Sequence, residues 1–149
     1  MVALAADRLL ADKGSITGSI GVIMQTTDLS KLLETVGIGA EAIRSGALKG
    51  QPSPFEKLTP EARKASQEMV DDTYAMFLDM VVERRGLPLE TVRTLADGRI
   101  YTGRQALEKR LIDALGGEEA AREWLESERK IARKLPIEDV DLKEPKSGF

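Results

Sequence analysis

"ADRLLADKGSITGSIGVIM", residues 6 to 24, sets two short apolar runs on either side of a glycine-punctuated bend. Leu9, Leu10 and Ala11, within residues 7–12, have the length and composition of a short buried strand. Residues 14–24 read as turn and strand, with Gly14, Gly18 and Gly21 where the backbone bends or packs closely. Ahead of this stretch, "MVALAA" (residues 1–6) holds good helix formers without a cap, and is expected to be the remainder of a helix that starts upstream. Downstream, Asp28 can cap a helix over residues 29–35 that Gly37 closes, and residues 38–45 are expected as a strand. Strand, helix and strand in succession point to an α/β fold.

From Thr59 the pattern changes. Thr59-Pro60-Glu61 is a cap, a first-turn proline and an early acid, and apolar residues then recur at helical spacing through Val81. The spacing predicts a long amphipathic helix ending at Gly86, then a second helix over residues 88–96. Asp97-Gly98 turns the chain into a short strand at Ile100-Tyr101, and Thr102 with Gln105 forms a capping box for a helix over residues 103–110. After Gly116-Gly117, residues 118–134 read as a charged helix stopped by Pro136, with Ala121, Trp124, Leu125, Glu128, Ile131 and Ala132 on its inner stripe. The expected division is a body over residues 1–135 and a frayed tail over residues 136–149. The body thus becomes helix-rich in its second half.

Composition narrows the chemistry. The 149 residues include 22 basic and 25 acidic side chains, spread along the chain, which argues against a nucleic-acid footprint. No apolar run is long enough to span a bilayer, so membrane attachment is expected only through segments absent here. Zero cysteines remove thiol catalysis, disulfides and thiolate metal sites, and zero histidines remove the usual general base and argue against zinc or iron. Nucleophilic chemistry in this chain must use a lysine or a carboxylate as base. The Asp71-Asp72 pair lies on the long helix, where solvated acids are the ordinary case.

One lysine stands apart. Lys49, in "SGALKGQPSPF" (residues 45–55), sits between glycines and prolines on a path that no helix can hold. An unperturbed lysine has a pKa near ~10.4, so only about one in a few thousand is neutral at pH 7, and an apolar cleft is needed to raise that fraction. On spacing alone, an exposed loop lysine is the ordinary reading. "TGSIG" (residues 17–21) carries two hydroxyls on a bend without the spacing of a phosphate loop, and a plain turn is the ordinary reading there.

Taken together, four segments resemble the C-terminal part of the bacterial signal peptide peptidase A family, serine peptidases with a Ser/Lys dyad. They are "ADRLLADKGSITGSIGVIM", "SGALKGQPSPF", "LTPEARKASQEMVDDTYAMFLDMVVERRGL" and "LADGRIYTGRQALEKRLIDALGG", in the family's order and within roughly residues 1–120. The resemblance implies that Lys49 is the general base that takes the proton from an attacking serine, and that Ser19 hydrogen-bonds and orients its amine. Thr17 is expected only as nearby packing. The implied fold is the Clp-protease/crotonase-like α/β superhelix, here in part.

The resemblance implies no cofactor and no metal. It implies a peptide substrate, cleaved signal peptides or other apolar extended chains, and a bacterial, membrane-associated homo-oligomer in which base and nucleophile can come from different subunits or domains. The family's nucleophile occupies an Ala-Ser-Gly-Gly-Tyr-type turn just before the helix that corresponds to "MVALAAD", and no such turn occurs in these residues. The solitary chain is therefore expected to lack peptidase activity. A phage capsid-maturation-type relative, and a non-enzymatic oligomerisation module built on the two long helices, are the alternatives.

Overall fold

The computed structural model describes residues 1–136 and 138. A 3-10 turn over Val2–Ala5 leads to β1 (Leu10–Ala11), β2 (Ile16–Gly18) and α1 (Ser30–Thr35). The remainder is α2 (Pro60–Arg85), α3 (Leu89–Leu95), β3 (Ile100–Thr102), α4 (Gly103–Glu108), β4 (Ala114–Leu115) and α5 (Glu118–Arg129). The class is mixed α/β, with helices carrying most of the regular structure.

Helix α2 organises the molecule. Thr59 Oγ1 accepts from the Ala62 N–H at its start, and Gly86 in the left-handed region (φ 58°) ends it. Its second half buries Phe77, Leu78 and Val81 against Val92 of α3, Tyr101 of β3 and Leu111 beyond α4. Two tyrosine hydroxyls then cap α3: Tyr101 donates to the Leu95 carbonyl at 3.2 Å, and Tyr74 to that of Ala96 at 2.6 Å. Helix ends leave such carbonyls without an internal partner, so both phenols do structural duty.

The strands form two pairs. β1 runs parallel to β4, with Leu10 opposite Ala114 and Ala11 opposite Leu115. β2 runs antiparallel to β3, with Thr17 opposite Tyr101 and Gly18 opposite Ile100. The capping box at Thr102 and Gln105 is present at the start of α4.

Five expectations need correction. Residues 1–6 form a single 3-10 turn rather than α-helix, since Met1 gives no side-chain cap and Ala6 is already extended. The strand segments expected within residues 7–12, at Leu9 to Ala11, and within the turn and strand of residues 14–24 are confined to Leu10–Ala11 and Ile16–Gly18, because only these find a partner strand. Residues 38–45 form no strand: no ladder reaches them, and Ile43 is 98% exposed. Helix α4 stops at Glu108, and Arg110 is left-handed at φ 61°. Helix α5 stops at Arg129, not Pro136: Lys130 turns left-handed (φ 58°), and Ile131 donates to the Leu125 carbonyl at 3.1 Å. The tail expected over residues 136–149 lies outside the described residues apart from Pro136 and Glu138.

Candidate functional site

Lys49 belongs to an excursion between β2 and α2 that the sequence ties down at its neck. Arg44 and Glu56 form a two-point ion pair, with Arg44 Nη1 donating to Glu56 Oε2 at 3.0 Å, and the Leu29 N–H donates to the Pro54 carbonyl at 2.8 Å. Between these ties the backbone makes two successive tight turns, Lys49 N–H to Gly46 O at 3.0 Å and Gln51 N–H to Leu48 O at 3.2 Å. Gly50, at φ 79°, sits where a side chain would be strained, and Gln51-Pro52 is a cis peptide. Met24, Leu48 and Gln51 line a shallow hollow with Ala62, Ser66 and Met69 of α2, so the first half of that helix is the floor of the loop. Lys49 itself is exposed above this floor.

Ser19 is positioned by a different device. It follows β2 with φ 49°, directly after Gly18 at φ 83°, so two consecutive residues are left-handed. Its N–H donates to the Arg99 carbonyl at 2.8 Å. That carbonyl is fixed by the turn of residues 97–99, in which Asp97 Oδ1 accepts from the Arg99 N–H at 3.1 Å and from its Nε at 2.8 Å. These bonds from the Arg99 side chain and N–H hold the Asp97 carboxyl below the usual aspartate range and push the Arg99 guanidinium up. The Ser19 side chain is exposed, while Ile20 turns into the core. Thr17 Oγ1 donates to the Tyr101 carbonyl at 3.2 Å, a sheet-packing role.

An apolar cavity of about 320 Å³ opens beside β2. Ile16, Thr17, Gly18 and Ile20 line one side, and Leu4, Leu9, Phe77 and Val81 line others. Its lining includes both chain neighbours of Ser19, Gly18 and Ile20, but not Ser19 itself. Among the described residues, neither Lys49 Nζ nor Ser19 Oγ makes a hydrogen bond, so the structure holds the two on separate supports and does not join them. Asp71 accepts from Gln67 one turn earlier on α2 at 2.7 Å, as a solvated helix acid does.

The Arg44–Glu56 brace escaped the sequence reading. Its signal was available as opposite charges on either side of a glycine- and proline-rich stretch, but a pair twelve positions apart has no helical or strand period to announce it.

The family model for peptidase family S49 matches residues 1–132. The chain belongs to peptidase family S49. Among curated S49-like relatives, a putative protease of Synechocystis sp. is 45% identical over 83% of this chain and 44% of its own length. A putative signal peptide peptidase SppA of Enterococcus faecium is 38% identical over 99% of this chain and 42% of its own. The chloroplastic serine protease SPPA of Arabidopsis thaliana is 30% identical over 99% of this chain and 22% of its own. The chain thus spans less than half the length of these S49 relatives. Among the described residues no helix is long and apolar enough to cross a membrane.

Proposed function

We propose that residues 1–135 are part of an S49 serine endopeptidase, a partial crotonase-like superhelix that supplies the lysine base of a Ser/Lys dyad. In this reading Lys49 takes the proton from a serine hydroxyl as it attacks a peptide carbonyl, and Ser19 donates to or accepts from the lysine amine to orient it. The carrying observation is the loop itself: a lysine within Ser-Gly-Ala-x-Lys, raised on an ion-paired neck over the first half of α2.

The nucleophile comes from residues outside this sequence, since no Ala-Ser-Gly-Gly-Tyr turn occurs in it. A lysine serves as base only where water is excluded from its amine. Lys49 is exposed, so the surface that covers it belongs to another part of the enzyme or to a second copy, which fits a homo-oligomer. The substrate is an extended apolar peptide such as a cleaved signal peptide. Support comes from the name of the Enterococcus faecium relative and from the apolar cavity lined by Gly18 and Ile20, the neighbours of Ser19. Membrane attachment rests on segments outside these residues.

The test is activity-based labelling with a fluorophosphonate. The chain alone should not react, whereas the same chain joined to an upstream segment bearing the Ser-Gly-Gly turn should label on that serine. In the joined protein Lys49→Ala should abolish labelling while leaving the circular dichroism spectrum unchanged. Full labelling of Lys49→Ala would remove Lys49 from the mechanism, and labelling of Ser19 or Ser45 in the chain alone would show that the nucleophile lies elsewhere. A joined protein that cleaves capsid precursor but no signal peptide would favour the phage-type reading.

A further inference from the structure

Helix α5 buries no residue fully, and it joins the body through Gly116 (φ 140°) and Gly117. Its hold on the rest of the molecule is concentrated at Trp124. The Arg8 guanidinium carbon lies 5.5 Å from the Trp124 ring centroid, and that of Arg129 lies 5.3 Å from it. Arg129 Nη2 also reaches Asp7 Oδ2 at 2.7 Å. Among the described residues, Arg8 Nε is buried without a hydrogen-bond partner. A cleft of about 420 Å³, lined by Ala6, Leu125 and Ile131 besides the clasp residues, remains between the helix and residues 6–8. Apolar packing there is incomplete, and two charged contacts, Arg8 with Trp124 and Arg129 with Asp7, bridge the helix to residues 6–8.

We propose that α5 is an ionic-strength-sensitive latch, closed over residues 6–8 by the Arg8–Trp124–Arg129–Asp7 clasp and pivoting at Gly116-Gly117 when salt screens that clasp. Arg129 and Asp7 are 48% and 67% exposed at their side chains, so solvent ions reach the pair directly. The core shared by α2, α3 and α4 is apolar and responds little to salt, and the Arg85–Asp113 pair at its edge is less exposed than the clasp, at 10% and 31%. Opening therefore frees one helix and bares Trp124 and Leu125 while the core stays folded.

The chain contains one tryptophan, so its emission reports this clasp alone. Acrylamide quenching is measured in about 0.01 M and about 1 M NaCl, between which the Debye length falls from about 30 Å to about 3 Å. The quenching constant should rise roughly two-fold or more at high salt, with far-ultraviolet circular dichroism retaining the α2 signal. Arg8→Gln with Arg129→Gln should show the high-salt quenching at both concentrations. Free N-acetyltryptophanamide in the same two salt solutions corrects for any direct effect of NaCl on quenching. Equal corrected quenching of the wild-type chain at both salts overturns the proposal without recourse to the variant.

Discussion

Arg85 and Asp113 form a two-point pair, Nη2 to Oδ1 at 2.8 Å and Nη1 to Oδ2 at 3.2 Å, on which three segments converge. Asp113 Oδ2 also accepts from the Leu9 N–H at 2.7 Å, and Arg85 Nε donates to the Arg110 carbonyl at 2.8 Å. The end of α2, the entry to β1 and the chain beyond α4 are thereby fastened at one point.

That junction predicts an acid limb of stability. The Arg85 hydrogen bond, helped by the Leu9 N–H and opposed by partial burial, holds the Asp113 carboxyl below the usual aspartate range. A carboxyl lowered on folding stabilises fully above its unfolded pKa of about 3.9, and loses that contribution as pH falls through the folded value. Chemical unfolding midpoints should be flat from about pH 5 to 7 and decline below about pH 4. Asp113→Asn should cost about 1 kcal/mol at pH 7 and flatten part of the acid decline. An unchanged acid limb in that variant would place the titrating group elsewhere.

Gly18 should be the least replaceable glycine beside the candidate site. It sits at φ 83°, and an added Cβ would lie 2.7 Å from the Tyr101 ring and 2.9 Å from the Arg99 carbonyl oxygen. Gly18→Ala should therefore destabilise by more than about 1 kcal/mol, from strain and crowding together. Gly14→Ala, with nothing within 4 Å, is the matched control and should unfold like the wild type. Urea titration of both variants decides it.

Core and excursion should respond very unequally to the same truncation. Leu78 is 5% exposed in the second half of α2, and Leu78→Ala should cost about 2–5 kcal/mol. Leu32 on α1 is 59% exposed, and Leu32→Ala should stay within about 0.5 kcal/mol. Calorimetry that found the two equal would contradict the placement of the core.

Elements with a complete local signature were readable from sequence. Thr59-Pro60 and Gly86 mark both ends of α2, and Thr102 with Gln105 marks the start of α4, because caps are written in adjacent residues. Asp28 behaves likewise, accepting from the Ser30 N–H at 2.9 Å at the entry to α1. Strand extent was not readable: Ile38 and Ile43 carry strand propensity, yet a strand exists only where a partner lies alongside. Lys49 stood out by its odd neighbours and by family likeness. Its brace and the left-handed backbone of Ser19 come from long-range contacts that no local pattern encodes.

The brace can be probed without touching the lysine. Glu56→Gln should change global stability by less than about 1 kcal/mol, since the pair is partly solvated. The amides of Lys49 and Gln51, which close the two turns of the loop, should exchange measurably faster in deuterated water. Unaltered exchange at both would mean that the neck does not govern the tip.

A neck closed by Arg44 and Glu56 changes what kind of motion is open to Lys49. The pair and the Leu29–Pro54 hydrogen bond shorten the free span of backbone to the residues between them, which lie over the first half of α2. Whatever surface comes down on it meets a lysine whose backbone disorder has already been given up on folding, and the ordering entropy of docking falls on the side chain alone.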